Sequence, residues 1–406
     1  MRVLFLAPAY PAEMPEFVRG LAEVGAHVIG VGEGPAAAIP AETRRYLGDY
    51  VQVPQLLFDE DDLVRRVVAW ARAHPVDRVE ALWEPLVIAA ARIREALGMP
   101  GMSADTVRGF RDKQLMKERV ASAGLRVPHS RRVRTTSEAR AAAAFIGFPL
   151  ILKPIDGAGS ADTYRCDDAR DFERALSAMG HVSEASCEEF VDGDEFTYDT
   201  ICIDGVPAYE NVAQYLPRPL IARTNEWISP VIITVRNLDQ PIIRPGIELG
   251  RGVLRALGMD TGFTHMEWYR KSDGEVVFGE IGCRVGGARL IDQMNYTSDV
   301  DLFREWARAV CWKTIDADLT RKYNTAIIFK RAQGQGRIQR ITGLHAFLAR
   351  HEHAVVVEDL LKPGQMRRDW KQTLVSDGYL IVRHPDWQGA VAIADEAART
   401  IGMFAG

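Results

Sequence analysis

Cysteine is scarce in this 406-residue sequence: five residues, at 166, 187, 202, 283 and 311, with no CxxC pair among them. That spacing excludes a zinc ribbon and a disulfide framework, and it fits a chain kept in a reducing cytoplasm. Long apolar runs are missing too, so no segment reads as a membrane span. The opening "MRVLFLAPAYPAEMPEF" is apolar only briefly before it meets Pro and Glu. It predicts a first β-strand, not a secretion signal. There is no GxxxxGK[ST], which excludes a Walker-type phosphate loop. The formal net charge is only -5, which gives no reason to expect a nucleic-acid or membrane partner. No internal repeat or low-complexity tract interrupts the chain.

What is present is an ordinary globular composition, 47% hydrophobic and 26% charged, long enough for two or three domains. Residues 1–106 alternate strand and helix signals. "RVLFLA", "HVIGVG", "DYVQVP" and "VEALW" read as strands, with helices predicted over 13–24, 59–73 and 86–97. This alternation predicts a parallel sheet covered by helices. "GVGEGP" at 30–35 follows the second strand and is cut by a proline, so it reads as a plain turn. Further on, 104–124 is helical with a break near Gly109, and 137–146 is a short helix. "FPLILKP" is a strand that turns directly into another, and "SCEEFVDGDEFTYDTICIDG" reads as a hairpin with an Asp-Gly turn. The stretch 206–245 reads as irregular and Pro-rich, a loop over a site. Helices are predicted at 246–257 and 299–312, and a small α/β unit at 324–406.

The most informative stretch is "THMEWYRKSDGEVVFGEIGCRVGG". Asp273-Gly274 is a hairpin signal between runs of β-branched and aromatic residues. With those two residues as the turn, Glu267 faces Glu280 on one side of the sheet. Carboxylates ~5 Å apart at an effective dielectric of about 20 repel by roughly 3 kcal/mol. Either one carboxyl is protonated or a cation sits between them, and a hard cation such as Mg²⁺ takes carboxylate and phosphate oxygens together. A solvated charged face with a turn shifted by one residue is the plainer alternative. Repulsion across the hairpin predicts that Glu280→Gln leaves ligand-free stability unchanged or raises it.

Other residues invite chemistry, each with a plainer reading beside it. Lys153 stands in an apolar strand, where an ammonium needs a partner. Gly157, Gly159 and Ser160 follow it in a loop suited to close anion approach, or simply in a turn. Glu188, Glu189 and Glu195 lie on strands whose edges could meet a nucleobase and a ribose, or could be charged edges. Arg284, on a glycine-flexed bend, suits bidentate capture of a carboxylate or phosphate. Arg289 lies near it, and both could be surface cations. Cys283 has no neighbouring base in sequence and reads as space-filling. "HEH" at 351–353 reads as a surface turn.

Read in order, "RDKQLMK", "FPLILKPIDGAGS", "CEEFVDGDEF" and "HMEW…GEIGCRVGG" resemble the motifs of the ATP-grasp superfamily, over roughly residues 105–315. The nearest likeness is to carboxylate-amine ligases, with biotin carboxylase sharing the plan. The resemblance implies three units: an N-terminal Rossmann-like α/β domain over 1–106, a two-lobed α+β ATP-grasp domain over 107–320 with a lid at about 127–187, and a C-terminal α/β domain over 321–406. It implies that Lys113 and Lys153 contact ATP phosphates and that Gly157, Gly159 and Ser160 form a mobile loop over them. Glu188, Glu189, Phe190 and Val191 would form the adenine-binding strand, with Glu195 on the ribose. Glu267 and Glu280 would hold Mg²⁺, with Mn²⁺ as a substitute. Arg284 would stabilise an acyl phosphate, and Arg284, Arg289 and His265 are the candidate substrate contacts. Where the family often has a metal-binding Asn two residues after the second carboxylate, this chain has Gly282. The implied reaction joins a small carboxylate, such as an amino acid, to an amine, with release of ADP and phosphate. A bicarbonate-using carboxylase and an inactive nucleotide-binding module are the alternatives, and a homodimer is left open as the assembly.

Overall fold

The computed structural model describes residues 1–155, 162–373 and 375–406. The first unit is a parallel sheet in the order Leu47–Gln52, His27–Gly32, Arg2–Leu6, Arg78–Glu80. Its helices begin and end on local chemistry. Asp59 caps Glu60–Ala73 by accepting from the Asp62 N–H, and Gly98, in the left-handed region at φ 63°, closes Val87–Leu97. Of the stretch 30–35 expected as a turn, Gly30, Val31 and Gly32 complete the second strand and only 33–34 form a bend.

Two antiparallel sheets follow. The smaller runs Ser130–Val133, Ala185–Glu189, Leu150–Pro154, Tyr164–Cys166. Helices Thr136–Ile146 and Ala169–Ala178 bury their apolar faces on it through Ala139, Ala143, Phe172 and Ala175. The larger has eight strands in the order Val276–Gly282, Gly262–Arg270, Asp194–Ile203, Val206–Leu216, Val231–Thr234, Asn324–Phe329, Gly378–His384, Val355–Leu360. Three strands after residue 320 therefore extend the sheet that carries the carboxylate pair, and Ile338–Thr342 pairs with Gly402–Ala405 in a separate two-stranded sheet.

Several expectations need correction. Asp192-Gly193 is not a hairpin turn but a crossing: Ala185–Glu189 belongs to the small sheet and Asp194–Ile203 to the large one. Gly193 is needed there because a Cβ would lie 2.4 Å from the Arg270 carbonyl oxygen. The hairpin forms one Asp-Gly later, at Asp204 and Gly205, both with positive φ (49° and 81°). Residues 206–245 are mostly regular. Val206–Leu216 and Val231–Thr234 pair, and Pro207 sits at a bulge, which leaves 217–230, with its short helix Pro219–Thr224, and 235–243 as connections. The helix expected over 299–312 starts at Leu302, and a separate helix, Leu290–Ser298, precedes it.

The carboxylate hairpin pairs Glu267 with Glu280, by a different route from the one the turn signal implies. The loop holds three residues, with the Lys271 N–H donating to the Glu275 carbonyl at 2.9 Å. That shifts the partners near the turn by one, so Trp268 faces Phe278. A bulge at Gly279 then restores the register at Glu280. A Cβ on Gly279 would lie 2.7 Å from the Glu267 carbonyl oxygen, which is why a glycine stands there.

The parallel unit packs directly onto the large-sheet unit. Phe17 of helix Met14–Glu23 meets Phe303 and Trp306 edge-on at 4.9 and 5.1 Å. Among the described residues, no helix is long and apolar enough to cross a membrane.

Candidate active site

The four-stranded and eight-stranded antiparallel sheets flank a cleft. Lys153 and Glu188 line it from the small sheet, and Glu195, Glu267 and Glu280 from the large one. Lys113, at the start of helix Lys113–Ser122, joins them.

The two carboxylates are not equivalent. The Tyr215 hydroxyl donates to Glu267 Oε1 at 3.1 Å. Burial and the charge of Glu280 hold the Glu267 carboxyl above the usual carboxylate range. For Glu280 burial acts in the same sense, but the Lys113 ammonium 3.5 Å away, with Lys153 and Arg284, outweighs it and holds this carboxyl low. Among the described residues, no group of three or more His, Cys, Asp or Glu side chains could hold a metal. The donor set is thus two carboxylates facing an open cleft, which fits a hard cation that keeps most of its ligands from outside the protein.

Lys153 already has a partner. Lys153 Nζ lies 3.1 Å from Glu188 Oε1, and Lys117 Nζ reaches the same oxygen at 2.6 Å. Lys117 lies one helical turn after Lys113, so both side chains leave the helix on one face. That i, i+4 spacing was the available signal for Lys117, which sequence reasoning missed. Glu188 is therefore first a buried counter-ion for two ammoniums, whatever its strand offers a nucleobase. Glu189, Phe190 and Val191 also line the cleft, and the Glu189 carboxylate accepts from Arg126 at 2.7 Å and from the His129 N–H at 3.1 Å.

Of the two ammoniums, Lys117 is the weaker base. Burial pushes it down to about 8; Lys153 adds repulsion and Glu188 opposes both. Lys153 is raised instead: burial opposes, but Glu188, Glu280 and Glu267 all attract it. The unfolded chain keeps its Lys117 proton to about pH 10.4. Between about pH 8 and 10.4 the unfolded state therefore binds more protons, and stability rises with pH. The expected result is that wild type gains stability relative to Lys117→Met from pH 8 to 10, read as paired urea midpoints. A flat difference would place the Lys117 pKa near that of a free lysine.

Glu195 is buried, and burial together with the charge of Glu267 pushes its carboxyl up to about 8. Arg218 opposes this, with Nε 3.2 Å from Glu195 Oε2. The Arg218 guanidinium also lies over the rings of Phe190 and Tyr269, 5.0 and 5.1 Å from their centroids. Arg218 escaped notice in the sequence because its segment reads only as Pro-rich.

The remaining candidates lie to one side. Arg284 does not line this cleft. Its Nε and Nη2 hold Glu84 Oε2 at 2.9 and 2.8 Å, and Nη1 donates to the Val285 carbonyl. Glu84 follows the strand Arg78–Glu80 of the parallel unit and also pairs with Arg111. Burial opposes its ionisation, but Arg284 and Arg111 hold the Glu84 carboxyl low. Nothing local in "LWEPL" marks Glu84, whose partner lies 200 residues away. A Cβ on Gly282 would lie 3.3 Å from the Arg284 side chain, which a small shift of that side chain relieves, so packing alone does not require a glycine there. His265 is buried with Nδ1 2.6 Å from Asp199 Oδ1 and Nε2 4.0 Å from Glu267. Thr197 and Asn211 in turn donate to the other Asp199 oxygen. Arg289 lies outside the cleft, with its guanidinium 3.6 Å from Asp292. Cys283 is buried and its thiol is pushed up to about 12 by burial, as suits a space-filling residue. In "HEH", His351 is tied to Glu396 at 3.0 Å. Gly157, Gly159 and Ser160 lie outside the described residues.

A family model of the ATP-grasp N-terminal domain matches residues 22–101. The chain is 25% identical over 229 residues to an L-arginine-specific L-amino acid ligase of Bacillus subtilis, covering 54% of each chain. It is 27% identical over 284 residues to the alanine–anticapsin ligase of Bacillus subtilis strain 168, covering 64% of this chain and 59% of that one. The chain thus spans just over half the length of these curated relatives. An L-amino acid ligase structure from Bacillus licheniformis superposes with a TM-score of 0.79 at 19% identity, covering 100% of this chain and 98% of the other. An N5-carboxyaminoimidazole ribonucleotide synthetase from Thermotoga maritima superposes at 0.72 with 16% identity, covering 100% of this chain and 99% of that one. At these identities the structural likeness shows the fold.

Proposed function

We propose, from the premise that this chain belongs to the ATP-grasp superfamily, that it is an ATP-dependent carboxylate-amine ligase acting on amino acids or similar small acids and amines. The observation that carries the reading is the facing pair Glu267 and Glu280, under a small sheet that presents Lys153. Lys113 and Lys153 supply positive charge for a triphosphate, and Glu195 is placed to accept from ribose hydroxyls. Glu267 and Glu280 would hold Mg²⁺, with Mn²⁺ as a substitute. The ion supplies charge neutralisation to the transferring phosphoryl group. The division into 1–106, 107–320 with a lid near 127–187, and 321–406 belongs to this reading, as does the glycine loop 157–160 as cover.

In the first step a substrate carboxylate oxygen bonds to the γ-phosphorus, and the bond from that phosphorus to the β–γ bridging oxygen breaks. ADP leaves and an acyl phosphate remains. In the second step the amine nitrogen bonds to the acyl carbon, the carbon–oxygen bond to phosphate breaks, and the nitrogen loses a proton. The chain's work is positioning and electrostatic stabilisation. Arg284, held by Glu84 outside the cleft lining, adds positive charge that favours the Glu280 carboxylate. His265, oriented by Asp199, brings an imidazole near Glu267.

The nucleotide product tests this. With Mg²⁺-ATP and pairs of amino acids, the expected products are ADP and orthophosphate in equal amounts, with a dipeptide mass. Stoichiometric AMP and pyrophosphate would mean an acyl-adenylate route and would overturn the reading.

A further inference from the structure

The segment 217–230 links two places that have no other evident reason to communicate. At one end, Arg218 sits in the cleft against Glu195, and Pro219 and Leu220 line the cleft beside it. At the other end the segment rests on residues beyond 320. Arg331 Nη1 donates to the Ala222 carbonyl at 2.7 Å and to the Asn225 carbonyl at 2.9 Å, at the C-terminal end of the short helix Pro219–Thr224. The face of its guanidinium lies over the Trp370 ring, 4.5 Å from the centroid. Arg367 is buried, pairs with Glu226 and lies 3.5 Å from the buried Asp377. Arg223 donates back to the Lys371 carbonyl at 2.9 Å. Two arginines from outside the cleft thus hold the backbone and the one acidic side chain of the segment that carries Arg218.

We propose that Arg331 and Arg367 are positioning residues for nucleotide binding: they fix the 217–228 segment so that Arg218 stays in the cleft. Neither touches the cleft itself. The physical reason is entropic. The connection 217–230 has no sheet partner and loses backbone freedom when it orders, at about 1–2 kcal/mol per residue. One guanidinium nitrogen shared between the Ala222 and Asn225 carbonyls, with the guanidinium lying over Trp370, supplies that order before any ligand arrives. Arg218 then meets the nucleotide preplaced, holding Glu195 through one oxygen and leaving the other to accept a hydroxyl.

This inference rests on the nucleotide reading above, so its test has one readout that needs no nucleotide. Trypsin can cleave after Arg223, whereas the Arg218-Pro219 bond resists it. Arg331→Met should speed cleavage after Arg223 about tenfold, weaken Mg²⁺-ATP binding about tenfold by calorimetry, and leave the KM for the acid substrate unchanged. Arg331→Lys should lie between Arg331→Met and wild type, because an ammonium can donate to the carbonyls but lacks the planar group that lies over Trp370. Arg218→Met should weaken ATP binding to a similar extent, and the double variant should be no worse than either single. Glu226→Ala, on the exposed side of the segment, removes the Arg367 contact without opening a core and should speed cleavage severalfold even where Arg331→Met fails to fold. Wild-type cleavage rates in Arg331→Met or Glu226→Ala, or affinity losses that add in full in the double variant, would overturn the proposal. Failure of the wild type to bind Mg²⁺-ATP would instead overturn the ligase reading, and the cleavage rates would still decide whether the segment is held.

Discussion

Glu267→Gln and Glu280→Gln are expected to stop turnover alike and to shift the stability of the ligand-free protein in opposite directions. Each removes one of the two charges available to a metal ion. Metal stabilisation of a transferring phosphoryl group is worth several kcal/mol, so turnover should fall by roughly 10³-fold in both. Without metal and nucleotide the two carboxylates meet different fields. Glu267 faces Glu280 and is near Glu195, with a neutral tyrosine hydroxyl as its hydrogen-bond donor. Its charge is a cost to the fold, and Glu267→Gln should raise stability. Glu280 lies 3.5 Å from the Lys113 ammonium and within reach of Lys153 and Arg284, which favour its charge. Glu280→Gln should therefore lower stability. This reverses what the hairpin alone predicts, because strand pairing reveals the repulsion but not the cations that the helix and the small sheet bring. Urea midpoints in EDTA, with phosphate release measured alongside, check both halves. Wild-type turnover in either variant would remove that carboxylate from the metal site, and equal midpoint shifts would contradict the asymmetry.

Glu188→Gln is expected to have the largest effect on stability of any single change in the cleft. It leaves Lys117 and Lys153 buried around a neutral amide. Removing one partner of a buried ion pair costs about 3–5 kcal/mol, since an uncompensated charge is left behind. Lys153→Ala should cost less, because Glu188 keeps Lys117 at 2.6 Å. The pH dependence follows from the same geometry. Burial alone would raise the Glu188 carboxyl, but the two ammoniums hold it well below the usual carboxylate range. A carboxyl lowered in the folded state contributes stability that is present above its unfolded pKa, about 4.3, and is lost as pH falls below it. Acid unfolding of wild type should thus be steeper below about pH 4.3 than that of Glu188→Gln. A Glu188→Gln unfolding free energy within about 1 kcal/mol of wild type would mean that water or a shifted lysine takes up the charge.

Much of the site was legible because it is written in short range. The carboxylate pair, Lys153 in its strand and the parallel N-terminal sheet all follow from periodicity and turn residues within a few positions. Even there, two errors cancelled at Glu280: the loop is one residue longer than its Asp-Gly signal implies, and the bulge at Gly279 takes the extra residue back. What was not legible is long-range pairing. Glu84 with Arg284, Lys117 with Glu188, and Arg331 with the Ala222 carbonyl join elements that no local pattern connects. The misplaced hairpin has the same origin. Asp192-Gly193 and Asp204-Gly205 are the same dipeptide, and only the close approach of the Arg270 carbonyl distinguishes a crossing between sheets from a turn within one. Proline count misled at 206–216, where a strand tolerates Pro207 at a bulge.

The central claim is that a substrate carboxylate takes the γ-phosphoryl group of ATP in the cleft between Lys153 and the pair Glu267 and Glu280. The fate of the carboxylate oxygen tests it most directly. An amino acid labelled with ¹⁸O in its carboxylate is supplied with Mg²⁺-ATP and an amine acceptor, and the orthophosphate is analysed by mass spectrometry. Transfer through an acyl phosphate predicts one ¹⁸O in each phosphate released, in step with the amide formed. Phosphate that carries no label, or label recovered in AMP, would contradict it.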